Sequence, residues 1–188
     1  MREDKVFNRY VRLIGFAVVL IASFVMKNYY DTGASHEQKA GIEFFTVDKV
    51  VDGDTLKLSD GSKVRLIGID TPETHYSSKL VQDAKRSRKD IKTIQGLGKK
   101  ASAFTKNLCY GRRVSLKYDV QKKDRYGRLL SYVYLDDGTF VNAKIIEEGY
   151  AQAMTIPPNV KFSEYFLRLE REARTAKRGL WHAGSDEK

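Results

Sequence analysis

The clearest pattern in the chain is an alternation of apolar and polar residues on either side of a short polar turn. The turn is Ser-Asp-Gly-Ser at residues 59–62. The apolar positions are Val50, Leu56 and Leu58 before it, and Val64, Leu66 and Ile69 after it. Alternation with a period of two predicts strands with one buried face. We therefore expect an antiparallel hairpin here, with a strand over residues 44–51 leading into it.

The rest of the chain predicts further strands and several helices. Alternation indicates strands at residues 113–118, 129–135 and 151–154, with a turn through 136–138 into a strand at 139–141. Apolar residues at helical spacing predict helices within 74–100, over 99–109, over 142–148 and in a final segment. The inward face of that last helix carries Phe162, Phe166, Leu169, Ala173 and Ala176. Gly96 and Gly98 are expected to end the first helix. The predicted fold class is α+β, mainly β with flanking helices.

The two ends of the chain differ from the middle in composition. Basic residues precede an uncharged run of fourteen residues, 13–26, within a segment 1–30. That length suits a signal peptide, and Tyr29 and Tyr30 suit an uncleaved membrane anchor equally well. In either case the basic flank predicts export, with the domain outside the cytoplasm and either membrane-anchored or secreted. A linker at 31–43, a folded domain at 44–182 and a polar tail at 183–188 complete the predicted organisation.

Four acidic residues lie in two clusters, Asp52 with Asp54 and Asp70 with Glu73. If the predicted hairpin forms, both clusters reach its open end, where like charges repel unless a cation or basic groups neutralise them. Calcium and other hard cations take oxygen ligands from carboxylates, carbonyls and water. We therefore expect a metal site built from Asp52, Asp54, Asp70 and the backbone or hydroxyl of Thr71.

Overall charge narrows the possible partners. Lys and Arg total 34 against 24 Asp and Glu, a formal net charge of +10. Such a surplus favours nucleic acid or an anionic membrane face, although it also serves solubility. The basic segment 74–100 includes Lys85, Arg86, Arg88 and Lys89. Two interpretations fit this segment: an electrostatic guide for a polyanion, or a solvated helix face. The single cysteine excludes an intrachain disulfide, and the three histidines have no zinc-like spacing.

A second group of polar residues lies far downstream, in the loop Asp124–Arg128. Arg125 and Arg128 flank Tyr126 and a glycine just before a predicted strand. By itself this is an ordinary basic loop. Combined with an oxygen-ligated cation and a spare carboxylate, it supplies what phosphodiester cleavage requires: a polarised phosphate, a general base, and guanidinium groups for the developing charge.

Four stretches carry a family resemblance: VVDGDT at 50–55, RLIGIDTPE at 65–73, ASAFTK at 101–106 and DRYGRLLSYVY at 124–134. In sequence and in order they resemble the motifs of the staphylococcal nuclease (thermonuclease) family, over residues 44–181. The resemblance implies a five-stranded OB-type barrel with about three helices. It also implies calcium ligands at Asp54, Asp70 and the Thr71 carbonyl, with Asp52 close by. The implied catalytic residues are Arg65, Glu73 and Arg128.

The same resemblance implies a reaction and a substrate. Glu73 would act as general base or orient the water, and the two arginines would stabilise the phosphorane. The expected activity is calcium-dependent cleavage of DNA or RNA by a monomer, leaving 3′-phosphate ends. Two departures stand out: the segment after Glu73 is longer than in the family, and residues 153–156 lack the tyrosines that flank the nucleotide. Tyr126 is then the family-matched stacking residue, with Arg125 beside it.

Two other interpretations stay open at this point. OB-type barrels often bind nucleic acid without cutting it, so a non-catalytic binding module tethered to a membrane is the main alternative. A membrane-tethered protein-interaction domain is the other, but it leaves the acidic clusters and the arginines unexplained. Because Arg65, Glu73 and Arg128 are all present together with the ligand aspartates, the enzyme is favoured.

Overall fold

The computed structural model describes residues 43–87 and 90–184. The predicted signal peptide or anchor, nearly all of the linker, Arg88, Lys89 and most of the polar tail lie outside this range, as does the side chain of Arg86. Within the described part of the chain, every helix is too short or too polar to cross a membrane.

Five strands of the described domain close into a barrel, which confirms the predicted fold class. The strands are β1 Phe44–Asp52, β2 Thr55–Leu58, β3 Lys63–Leu66, β4 Ile69–Asp70, β5 Arg113–Lys117, β6 Leu129–Leu135 and β7 Gln152–Ala153. The barrel order is β1-β2-β3-β6-β5, with β3 and β6 parallel and the other neighbours antiparallel. The two short strands β4 and β7 form a separate antiparallel pair.

Helices flank the barrel on the described part of the chain. They are α1 Ser78–Ser87, α2 Ile91–Cys109, α3 Val141–Glu147 and α4 Ser163–Thr175, followed by a 3-10 helix at Gly179–Gly184. The alternating apolar residues of the strands fill the barrel interior, including Val47, Leu56, Leu58, Val64, Leu66, Val114 and Val133. Phe166, Leu169 and Ala173 of α4 are buried and Phe162 is half-buried, as the helical spacing predicted. Ala176 is exposed at the end of the helix, so its predicted inward position is wrong.

Two local predictions are wrong. Gly96 and Gly98 do not end a helix, because α2 runs through both of them. The helix begins instead after Asp90, whose side chain accepts the backbone N–H of Thr93 at 2.9 Å as an N-cap. Each interior glycine costs about 1 kcal/mol of helix propensity, which the buried face of α2 offsets. The strand predicted at 139–141 is only an isolated bridge at Phe140, and α3 begins directly after it.

Two side chains, those of Asn142 and Phe166, fix the turn between β3 and β4. This turn leads into the second acidic cluster. Buried Asn142 donates to the carbonyl of Ile67 at 2.9 Å and accepts the backbone N–H of Val133 at 3.0 Å. Gly68 has φ +79°, and a Cβ there would lie 2.5 Å from the ring of Phe166. Helices α3 and α4 therefore fix the point at which the chain enters β4 and the second acidic cluster.

Candidate active site

Strand register brings two of the predicted site residues, Asp52 and Arg65, to one end of the barrel. Asp52 pairs with Thr55 at the end of the β1–β2 hairpin, and Thr55 pairs with Arg65 on β3. Asp52 and Arg65 therefore flank the same position of the middle strand. In the sequence, Asp52 and Asp54 precede the second acidic cluster by about twenty positions. The hairpin brings them close to that cluster, as the alternation predicted.

The turn between Asp52 and Asp54 packs closely against the second cluster. A Cβ at Gly53 would lie 2.7 Å from Cγ2 of Thr71, so only glycine allows this approach. On the other side, the hydroxyl of Thr105 on α2 donates to the carbonyl of Gly53 at 2.8 Å. The turn is therefore held between the β4 end and helix α2.

Asp54 is the buried centre of the site. Its Oδ2 accepts the backbone N–H and the hydroxyl of Thr71, each at 3.0 Å. Its Oδ1 accepts the hydroxyl of Thr55 at 3.1 Å and forms an ion pair with Nη1 of Arg65. The amide and hydroxyl of Thr71 thus orient the Asp54 carboxylate. The predicted role of the Thr71 carbonyl as a metal ligand stays a prediction.

Arg65 links the two acidic clusters. In addition to its pairing with Asp54, its Nη2 lies 2.9 Å from Oδ1 of Asp70, and its side chain is only 17% exposed. Burial lowers the pKa of the Arg65 guanidinium, Asp70 raises it, and the positive charge of Arg128 lowers it again. Strand β3 pairs in parallel with β6, so that Arg65 lies opposite Leu130, two residues after Arg128. The structure therefore places both predicted arginines on adjacent segments of the barrel.

Asp124 positions Arg128, a role that sequence reasoning missed. Its Oδ2 accepts Nε–H of Arg128 at 2.7 Å. Its Oδ1 accepts the backbone N–H groups of Tyr126 at 2.9 Å and Arg128 at 3.0 Å. Burial acts to raise the pKa of Asp124, but the hydrogen bonds from Arg128 and Tyr126 lower it overall. The sequence did contain a signal for this role, because Asp124 begins a turn that contains a glycine. Aspartate side chains in that position accept hydrogen bonds from the backbone of their own loop.

An exposed aromatic residue stands beside Arg128. Tyr126 is 69% exposed, and the guanidinium carbon of Arg125 lies 4.8 Å from its ring centroid, with that of Arg128 at 5.6 Å. Nη2 of Arg125 also donates to the Tyr126 hydroxyl at 2.6 Å. A tyrosine ring flanked by cations is suited to stacking on a nucleobase next to a bound phosphate.

Glu73 follows the second cluster directly and is half-buried. The loop beyond it exposes His75 and Tyr76, the latter with 75% of its surface accessible. The sequence drew no attention to Tyr76. Lys85 on α1 is exposed as well, and its interpretation as a guide for a polyanion stays a prediction.

The chemistry of the donor atoms fits a hard cation, although Arg65 already occupies part of the site. Across residues 43–87 and 90–184, no three His, Cys, Asp or Glu side chains converge as a metal cluster. Asp54 and Asp70 instead share Arg65. However, Oδ1 of Asp52 is buried and has no hydrogen-bond partner among the described residues. A buried carboxylate oxygen without a donor calls for a missing cation or water. The predicted ligand set stays a prediction.

A barrel with arginines and carboxylates together near one end is suited to binding a phosphodiester and stabilising its developing charge. The comparisons with known proteins agree. A family model described as "Staphylococcal nuclease homologue" matches residues 63–183. The thermonuclease of Staphylococcus intermedius is 37% identical over 174 residues, covering 89% of this chain and 95% of that protein. The chain belongs to the staphylococcal nuclease family.

Other relatives support the same assignment. The thermonuclease of Staphylococcus hyicus is 34% identical over 175 residues, again covering 89% of this chain and 95% of that protein. Endonuclease YncB of Bacillus subtilis is 35% identical over 159 residues, covering 77% of this chain and 69% of that protein.

We expect Asp124→Asn to slow cleavage because it weakens the charged hydrogen bond that holds Arg128. A hydrogen bond to a charged group contributes about 1.5–3 kcal/mol, so a rate loss of roughly tenfold to 100-fold is expected. The asparagine Oδ1 still caps the loop backbone, which limits unfolding. The measurement is the single-turnover cleavage rate of a labelled oligonucleotide.

The matched control is Asp60→Asn. Asp60 also caps its own turn, accepting the backbone N–H of Ser62 at 2.9 Å, but it lies in the β2–β3 turn and holds no arginine of the described part of the chain. Its variant should cleave at the wild-type rate. Equal rates for the two variants would show that Asp124 serves only its loop.

Proposed function

We propose that this protein is a calcium-dependent endonuclease that hydrolyses phosphodiester bonds of DNA or RNA and leaves 3′-phosphate ends. The observation that carries the proposal is the pairing of Arg65 with Asp54 and Asp70, just before Glu73 in the chain, with Arg128 two residues before the strand partner of Arg65. Relatives named as thermonucleases and endonucleases support the same reaction class.

The two arginines bind the phosphate and oppose its developing charge. Asp124 accepts a hydrogen bond from Nε of Arg128. Among the described residues, the two terminal nitrogens of Arg128 make no hydrogen bond. Those nitrogens have the geometry for two oxygens of one phosphate. Arg65, held by the acidic clusters, supplies a second fixed positive charge. Charge on the equatorial oxygens grows in the transition state, so both contacts strengthen as the reaction proceeds.

Glu73 acts on the attacking water. Its carboxylate accepts a proton as the water oxygen bonds to phosphorus. The bond from phosphorus to the 5′-oxygen then breaks, and the departing oxygen takes up a proton from solvent. The product ends are a 3′-phosphate and a 5′-hydroxyl. Asp54 and Asp70 would hold calcium, with Asp52 and the Thr71 carbonyl next to them, and the bound ion would polarise the phosphate.

The proposal is tested with the purified full-length chain and single-stranded oligonucleotides of DNA and RNA, each with calcium, with magnesium and with a chelator. We expect cleavage in calcium, much less in magnesium, and none in chelator. Magnesium demands near-octahedral geometry at shorter distances than calcium does, which suits this donor set poorly. Equal turnover in magnesium or in chelator contradicts calcium dependence, and binding without cleavage in every condition contradicts the enzyme.

We also propose that the nuclease domain acts as a monomer outside the cytoplasm, held or delivered by the N-terminal segment. The support is the sequence pattern: basic residues precede the uncharged run, and such residues stay on the cytoplasmic side. Protease added to intact spheroplasts should therefore degrade the domain. Full protection of the domain from that protease would contradict the proposed location.

A further inference from the structure

Helix α2 passes directly against the backbone that carries Glu73. A Cβ at Gly98 would lie 2.6 Å from the carbonyl oxygen of Glu73 and 2.7 Å from that of Pro72. These distances are well below the 3.4 Å at which ordinary van der Waals contact begins. The helix reaches this peptide segment only because residue 98 has no side chain.

The same face of α2 also holds the first acidic cluster. Gly98, Ala101 and Thr105 follow one another at helical spacing, and all three are buried. Thr105 donates to the carbonyl of Gly53, between Asp52 and Asp54. One rigid helix face therefore touches both of the segments that supply the site's carboxylates.

A second glycine in the same helix shows that this contact is specific to residue 98. A Cβ at Gly96 would meet nothing within 4 Å. Both glycines disfavour the helix relative to alanine. Only at Gly98 does the structure give a reason for that cost, and the reason is the Glu73 segment.

We propose that Gly98 is a positioning residue that sets the place of Glu73 for the reaction. The inference rests on the proposed role of Glu73 as general base. A side chain at residue 98 must displace either the helix or the Glu73 segment. The helix is anchored by Thr105 and by the buried residues Ala101 and Cys109, so the displacement falls on the segment.

The expected consequence is catalytic. A misplacement of about 1 Å at a reacting group costs on the order of 10²-fold in rate. Gly98→Ala should therefore lower the single-turnover rate by roughly tenfold to 100-fold, while substrate affinity and calcium affinity stay near the wild-type values. Gly96→Ala introduces the same methyl group into the same helix and should cleave at the wild-type rate with slightly raised thermal stability.

The experiment compares the full-length wild type, Gly98→Ala, Gly96→Ala, Glu73→Gln and the double variant Gly98→Ala/Glu73→Gln. Rates, oligonucleotide affinity and thermal unfolding are measured in calcium. If Gly98 acts through Glu73, the double variant is no slower than Glu73→Gln alone, because the group that Gly98 positions is already lost. A further loss equal to that of Gly98→Ala in the wild-type background overturns the inference.

The remaining outcomes separate this inference from the proposed function. Equal rates for Gly98→Ala and Gly96→Ala, with Glu73→Gln slow, overturn the positioning role alone. An unchanged rate in Glu73→Gln overturns the proposed function and the positioning role together. Because Gly98→Ala could weaken folding, the same comparison is made in the Gly96→Ala background, whose added helix propensity offsets that loss.

Discussion

In Glu73→Gln we expect the single-turnover cleavage rate to fall by about 10²–10⁴-fold, the usual effect of losing a positioned general base. Glutamine keeps the size of the side chain and much of its hydrogen-bonding capacity, but its amide cannot accept a proton from water. One negative charge near the bound phosphates also disappears. Substrate affinity should therefore be unchanged or slightly higher, so that the loss appears in the chemical step alone.

The matched control for this variant is Glu172→Gln. Glu172 lies on α4 with its side chain 56% exposed, and its nearest cation is Arg168 at 4.0 Å. It should cleave and bind like the wild type. If Glu73→Gln cuts at the wild-type rate under the same conditions, Glu73 is not the base. If it loses affinity as much as rate, Glu73 contributes to binding rather than to proton transfer.

The second large effect is expected at the arginines. Arg65→Ala and Arg128→Ala should each lower the rate by about 10²–10³-fold, the loss seen when a donor to a developing oxyanion is removed. In the proposed mechanism each arginine also contacts the phosphate before reaction, so affinity should fall together with the rate. That combination distinguishes both variants from Glu73→Gln in the same binding and single-turnover measurements.

The two arginine variants should differ in stability. Arg65 forms ion pairs with buried Asp54 and half-buried Asp70, and its replacement by alanine removes that positive charge from both carboxylates. Removing one partner of a buried ion pair costs about 3–5 kcal/mol. Arg128 pairs with Asp124 nearer the surface, so Arg128→Ala should unfold close to the wild-type temperature. Calcium should raise the unfolding temperature of Arg65→Ala more than that of Arg128→Ala.

Arg168→Ala is the control for both variants. The Arg168 side chain is 61% exposed on α4, and its Nε lies 4.0 Å from Oε1 of Glu172, so this ion pair is weaker than those of Arg65 and Arg128. Equal unfolding temperatures for Arg65→Ala and the control would show that the carboxylates do not depend on Arg65. An unchanged rate in Arg128→Ala would remove the second guanidinium from the proposed mechanism.

Local pattern was sufficient for most of the fold. The strand predicted at residues 129–135 is β6 with the same bounds, and the hairpin pairs through the predicted turn. Alternation succeeds here because each strand has one face in the barrel interior, so the period of two survives in the sequence. The helix ends were harder to predict. Glycine usually interrupts a helix, but Gly98 lies inside α2 because another segment needs the space that a side chain would take.

What the sequence determined by itself is the chemistry of the site and the strands that carry it: the acidic pairs, the arginines and the alternation that sends them to one barrel end. Only the tertiary structure decided which groups touch. Arg65 pairs with Asp54 and Asp70, Asp124 holds Arg128, and Gly98 admits the Glu73 backbone. The physical reason is the distance along the chain over which each effect acts. Periodicity and turn chemistry act over a few residues, whereas these contacts depend on how distant segments pack, and packing is set by the whole core.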